Sequence, residues 1–480
     1  MKTNSLDFDA QALREKILDL AMRGKLVNQD PNDEPANVLL EKIKAEKVEL
    51  VKEGKIKKSK ALPEITEDEK PFDIPDSWEW VRLGDVLLNT IGGGTPSKKN
   101  QDYWNGKIPW ISVKDVHKDE LEITETQDTI STMGLKNSST NLIKANTLIA
   151  VMRMAVGRIG VVKMNACINQ DLRALITSKN FCDQYLLYIY SHLNFETSGI
   201  TVKGLKINAL LETIIPLPPL SEQSRIAAKI AQLFALLRKV ESSTQQYAKL
   251  QTLLRSKVLD LAMRGKLVEQ DPNDEPASVL LEKIKAEKEQ LIKEGKIKKS
   301  KALPEITEDE KPFEIPDSWE WVRLGEVNTY IGKNIHPEKT PEQLFELYSV
   351  PIYETNSPEI TSGKEIKSNK QTVIPDDILL CKINPRINRV WRVGNYTNYK
   401  NIASTEWIVV RQSQLLPDYL RYVLMSPYFR KLLQSNVSGV GGSLTRAKPV
   451  LVKKYVIPIP PLSEQSRISL KIAHLFTLLK

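Results

Sequence analysis

Cysteine is scarce: only Cys167, Cys182 and Cys381 occur in 480 residues, and none stands in a CxxC spacing. A disulfide framework is therefore not expected, and the three read as reduced, buried thiols of a cytoplasmic protein. Four scattered histidines offer no ligand pair at helical spacing, so no metal site is expected. No apolar run approaches the roughly 18 residues that a membrane span requires. The N-terminal MKTNSLDFDA has neither an apolar core nor a cleavage pattern, so nothing in it directs export. Nucleotide and metalloenzyme signatures are missing too: there is no GxxxxGK[ST], no GxGxxG after a strand and no HExxH. The triple glycine Gly92 to Gly94 is too short for a phosphate cradle and reads as a turn. No catalytic residue is expected in this chain, and binding is the better hypothesis.

What is present is basic charge in particular places. The chain carries a net +9. Residues 87 to 214 hold 14 Lys+Arg against 11 Asp+Glu, and residues 328 to 456 hold 18 against 10, which leaves −2 for the remainder. Excess confined to two segments is what binding to a polyanion requires, and a uniformly solvated surface would not produce it.

The segments are carried by a repeated frame. Residues 17 to 86 and 258 to 327 differ at only eight of seventy positions, whereas residues 87 to 214 and 328 to 456 share almost no identity although their lengths are 128 and 129. Each frame contains an amphipathic helix (36 to 53 in the first), a basic loop beside an acidic one, and IPDSWEWVRLG with Trp78 and Trp80 as anchors.

Leu220 to Val268 reads as one long helix, with Ser221 as its cap, Glu222 at its positive end and Gly265 as its stop. An alternating 4, 3 spacing picks out Ile226, Ile230, Leu233, Leu237, Val240, Thr244, Tyr247, Gln251, Leu254, Val258 and Leu261, a coiled-coil seam. Its partner is split between the two ends of the sequence. Residues 462 to 480 repeat the first half at an offset of 242 and residues 13 to 27 repeat the second at 241. Ile468, Ile472, Leu475, Leu479, Leu13, Ile17 and Leu20 are the matching seam positions. Laid end to end, the termini rebuild a second copy of the helix, the arrangement of a pseudo-two-fold, circular repeat.

Both carried segments follow one α/β (α+β) plan. Each has a glycine turn, a strand ending in a basic run (147 to 163; 378 to 393), a short helix (181 to 193; 416 to 433), then a glycine loop and a return strand (198 to 217; 438 to 459). Windows without acid run from 129 to 170, 378 to 405 and 419 to 456. Taken singly, a Lys or Arg is more often a solvated charge; their clustering carries the expectation. The residues expected on DNA are Thr95, Ser97, Lys98, Lys99, Lys114, Arg153, Arg158, Lys163, Lys203 and Lys206 in the first segment. In the second they are Lys333, Lys382, Arg386, Arg389, Arg392, Ser443, Arg446 and Lys448. Lys and Arg there would neutralise phosphates, and Arg with Asn or Gln would read base edges.

The doubled IPDSWEWVRLG, the junctions IPLPPLSEQSRIAAKI and IPIPPLSEQSRISLKI, the stretch GGGTPSKKNQDYWNGKIPWI and the circular repeat resemble the specificity subunit of type I restriction-modification systems. The resemblance covers essentially the whole chain. It implies a non-catalytic DNA reader: two target-recognition domains (77 to 214 and 318 to 456) separated by a long antiparallel two-helix coiled coil, with conserved regions at 1 to 76, 215 to 317 and 457 to 480. It implies as partners double-stranded DNA, two modification subunits that methylate with S-adenosylmethionine, and restriction subunits using ATP and Mg; this chain itself would hold no cofactor. A helix over residues 220 to 264 would span about 67 Å at roughly 1.5 Å per residue, near two turns of B-DNA at about 34 Å each. A bipartite, asymmetric target with a fixed gap is therefore expected. The competing class is a coiled-coil scaffold that gathers proteins without nucleic acid, which accounts for the seam but not for where the charge lies.

Overall fold

The computed structural model describes residues 9–118, 120–198, 204–299, 301–435, 437–438 and 445–479. The chain forms two compact units, one of residues 6–244 and one built on residues 245–480, and the boundary falls within the helix Leu220–Met263.

In the first unit Asp9 caps the helix Ala10–Met22 by accepting from the Ala12 amide at 2.9 Å. Gly24 ends the segment at φ +66, where a Cβ would lie 2.4 Å from the Pro75 ring; both the left-handed turn and the close approach require glycine. Gly265 repeats this at φ +66 against Pro316, as expected for the stop of the long helix. The frame helix Ala36–Lys52 buries Leu39 and Ile43 and leaves Glu41, Lys42, Lys44 and Glu49 in solvent, with Glu46 and Lys47 half-buried. Its copy in the second unit, Ala277–Lys293, buries Leu280 and Ile284.

The ends of the sequence pack on the long helix within each unit. Arg14 makes a bidentate pair with Glu241 (2.5 and 3.0 Å) while Gln29 reaches Glu222, so the two helices run antiparallel. In the second unit Arg255, the counterpart of Arg14, donates to the Leu479 carbonyl and lies 5.2 Å over the Phe476 ring. Of the expected seam, Ile226, Ile230, Ile468 and Ile472 are buried, and Ile17, Leu20, Leu233, Leu237, Val258, Leu261, Leu475 and Leu479 are half-buried. Leu13, Val240 and Leu254 are exposed, contrary to the heptad spacing. The buried face at the repeated end is Leu18, Ala21 and Met22, matched by Leu259, Ala262 and Met263. There the helix packs into the frame core with Trp78 or Trp319, and that contact sets the inward face. The expected junction of the two termini falls on residues 1–8 and 480, outside the described residues.

Each divergent segment is inserted between the two strands of an antiparallel ribbon. Glu79–Arg82 pairs with Ile214–Leu217, and Glu320–Arg323 pairs with Val456–Ile459 in the same register, Arg82 facing Ile214 and Arg323 facing Val456. The first insert has a five-stranded sheet in the order Leu87–Gly92, Leu172–Thr177, Leu148–Val151, Ile159–Val162, Glu122–Ile123. A four-stranded sheet runs Asp128–Ile130, Trp104–Ile111, Ala166–Ile168, Leu142–Ile143. The second insert keeps the central hairpin, Ile378–Cys381 with Val390–Arg392 and Trp407–Val410, and adds a five-stranded sheet of its own. The expected single helix of the second insert is two, Pro417–Met425 and Pro427–Ser435. Pro427 accounts for the break: it disfavours helical backbone at Ser426, which is extended at ψ 150. Among the described residues no helix is long and apolar enough to cross a membrane.

Candidate nucleic-acid interface

The repeated frame fixes each insert through buried polar side chains. Glu222 in the first turn of the long helix accepts from the Trp78 indole (2.8 Å) and from Gln29 (2.6 Å). Burial pushes its carboxyl above the ordinary range, against the pull of these two donors. Gln223 accepts from the Cys182 amide (2.9 Å) at the start of the insert's helix Asp183–Ile189 and donates to the Pro218 carbonyl (2.8 Å). Ser221 does not cap the helix; it donates to Asp33, which also holds Arg225 at 2.6 Å. Every contact recurs in the second unit: Trp319 and Gln270 on Glu464, Leu416 and Pro460 on Gln465, Arg467 on Asp274. Arg82 and Arg323, both buried at the insert's ribbon, grip Glu69 and Glu310 with both guanidinium arms and pull those carboxyls down to about 2.

Trp78→Phe removes the indole N–H and leaves the buried Glu222 oxygen without its donor. It is expected to destabilise the first unit by about 1–3 kcal/mol. Trp319→Phe is expected to do the same in the second, as read by denaturant melts of the two variants. Unequal losses would show that the two frames are not equivalent supports.

In the first insert the loop bearing Thr95, Ser97, Lys98 and Lys99 is pinned by two indoles: Trp110 donates to Gly94 O (3.0 Å) and Trp104 to Ser97 O (3.2 Å). A Cβ at Gly93 would lie 2.1 Å from Asn169 O, so the glycines serve close packing, and Gly92 continues a strand instead of turning. Thr95 hydrogen-bonds Gln170, next to Asp171, and Asp171 pairs with Arg153 at 3.6 Å. Arg153 bridges Gly204, which brings Lys206 to the same hairpin. Thr95, Arg153 and Lys206 are thereby linked, with Lys98, Lys99 and Lys206 exposed. Arg158 closes the hairpin and donates to Val116 O (3.2 Å), beside the turn that exposes Lys114. Lys163 lies beyond the far end of the strand Ile159–Val162 and pairs with Glu122 at 3.0 Å.

In the second insert Lys382, Arg386 and Arg389 line the hairpin loop between Ile378–Cys381 and Val390–Arg392. Arg430 donates to the Arg386 carbonyl, and the Arg386 side chain is exposed at the loop. Ile383 bridges Arg446, placing Arg446 and exposed Lys448 beside this loop, with Arg446 3.2 Å from Glu406. Arg392 sits on the strand and is held by Asp376 and Asp418 at 2.7 and 2.8 Å. Lys163 and Arg392 thus pair with acidic neighbours at the strand end away from the loop. Lys333 is exposed before the strand Asn334–Ile335. Lys203 and Ser443 lie outside the described residues.

Sequence patterns read 147 to 163 as one continuous strand. It is a hairpin, and its turn presents Met154, an apolar residue that polarity alone could not mark as exposed.

Comparison with known proteins agrees with this architecture. The Type I restriction enzyme EcoAI and EcoEI specificity subunits, both of Escherichia coli, are 37% and 35% identical over 396 and 390 residues, or 68% and 70% of this chain. The matches span 63% and 64% of those two proteins' own length, less than two thirds of each. A chain solved in work on complex assembly and conformational transition of the type I R-M system shares the fold, with a TM-score of 0.52 at 18% identity over 85% of this chain and 92% of its own. The family model for the type I restriction modification DNA specificity domain matches residues 75–251 and 316–478, that is, each insert with the helix that follows it. More than half of the sequence is matched in this way, and the chain belongs to the type I restriction modification DNA specificity family.

Proposed function

We propose that this chain is the DNA-reading specificity subunit of a type I restriction-modification complex, recognising a bipartite, asymmetric target with one insert per half-site. The observation that carries the reading is the pairing of one duplicated support with two unlike inserts, each of which gathers basic side chains at the same hairpin. In the first these are Arg153, Arg158 and Lys206; in the second, Lys382, Arg386, Arg389 and Lys448. A scaffold that binds only proteins leaves that placement of charge without a role.

The chain acts without chemistry of its own. Methyl transfer from S-adenosylmethionine belongs to two modification subunits, and ATP- and Mg-dependent translocation and cleavage to restriction subunits. The conserved helices, common to both halves, are the surfaces on which those subunits assemble. What this chain supplies is affinity through phosphate contacts and selectivity through base edges.

Arg386→Ala with Arg389→Ala tests the interface. Each arginine that neutralises a phosphate contributes about 0.9 to the slope of log K against log salt, so the pair is expected to flatten that slope by nearly 2 and to weaken binding to any duplex. Arg392→Ala serves as the control and is expected to lower stability while leaving the slope in place. The measurement is a titration of target and unrelated duplexes at two salt concentrations, with the modification subunits present. An unchanged slope in the double variant would move the binding face elsewhere.

A further inference from the structure

The hairpin loops of the two inserts, residues 152–158 and 382–389, are held by the same backbone bonds although their sequences differ. Met152 N donates to Asp171 O (2.8 Å) as Lys382 N does to Glu406 O (2.9 Å). Leu205 N donates to Met152 O (2.7 Å) as Ala447 N does to Lys382 O (2.9 Å). Arg153 bridges Gly204 as Ile383 bridges Arg446, and Arg158 and Arg389 close the two loops by accepting from Val151 N (2.9 Å) and Cys381 N (3.0 Å).

Met154 and Asn384, each two residues past the first of these anchors, therefore occupy one position of a shared loop. Both are left-handed, at φ +67 and +50. Asparagine visits that region readily, whereas methionine does so at a cost in backbone energy. Packing does not offset the cost, because Met154 is 63% exposed. A strained backbone thus holds a long apolar side chain in solvent, next to exposed Arg153 and in the loop that Arg158 closes. Phosphates would neutralise those arginines; the apolar side chain has no use for phosphate and fits the base stack, against a thymine C5-methyl or wedged at a base step.

We infer that Met154 is a base-contacting, specificity-determining residue of the first insert, an assignment that rests on the DNA-reading function proposed above. The second insert has the half-buried Asn384 at this position in a loop one residue longer, so Met154 has no apolar counterpart there.

Met154→Asn separates recognition from structure, since it relieves the left-handed strain while removing the apolar contact. In the complete complex with modification subunits, presented with duplexes randomised over both half-sites, the variant is expected to melt no lower than the wild type. Its preference at one base pair of the first half-site is expected to fall about tenfold, with the second half-site unchanged. Duplexes with uracil for thymine in the first half-site, bound more weakly by the wild type but not by the variant, identify a methyl contact. A 2-aminopurine signal of unstacking seen only with the wild type identifies a wedge. Identical base preferences for the two proteins at every position of that half-site would overturn the assignment, as would weaker binding that only tracks a lowered melting temperature. A wild-type complex with no sequence preference would instead overturn the DNA-reading function itself.

Discussion

Exchanging residues 328–456 for the corresponding segment of another family member is expected to replace one half of the DNA target and leave the other half intact. The physical basis is the way the insert is attached. Chain entry and exit are adjacent strands of one ribbon, Glu320–Arg323 and Val456–Ile459, so a new insert closes on a ribbon of which the pairs Glu320 with Ile459, Trp321 with Pro458 and Val322 with Ile457 stay in place. Frame side chains position it: Gln465 accepts from the Leu416 amide and Glu287 from the Ser413 hydroxyl. The first unit reproduces them with Gln223 on the Cys182 amide and Glu46 on Ser178. Affinity for the original target is expected to fall toward the nonspecific level, a loss of at least about 10³-fold. Methylation mapping of the chimera reads the result directly. A change in both half-sites would show that the inserts do not read independently.

Inserting one heptad after Thr244 is expected to widen the gap between half-sites and to leave both half-sites as they were. Leu220–Met263 is an uninterrupted helix of 44 residues, and residues 242–250 are exposed along it, so added turns there displace little packing. Seven residues lengthen a helix by about 10.5 Å and rotate its far end by only about 20°. That length corresponds to about three base pairs at roughly 3.4 Å each. The original target, with its shorter gap, is expected to lose nearly all of its advantage over random sequence. Retention of the old gap would show that the helix does not set the spacing.

The large-scale organisation was legible in the sequence because duplication preserves residues one by one. Offsets of 241 and 242 mark the frames, and the divergence of 87 to 214 from 328 to 456 marks the inserts. The seam was legible only in part. Heptad spacing assumes a helix with one partner, whereas Leu18, Ala21 and Met22 face a frame core containing Trp78, and Leu13 and Val240 face solvent. Sequence also concealed the use of individual charges. Arg153, Lys163 and Arg392 look alike in an acid-free window, but their partners Asp171, Glu122 and Asp376 come from other windows through the sheet. The Trp78–Glu222 bond joins residues 144 positions apart, and no local pattern announces it. Met154 was hidden because apolar alternation runs straight through the hairpin turn.

The account is tested most directly by mapping methylated adenines across the genome of cells carrying this chain with its modification subunits. It predicts one motif made of two unlike half-sites at a single fixed separation. A palindromic or continuous motif, or methylation without any sequence preference, would contradict it.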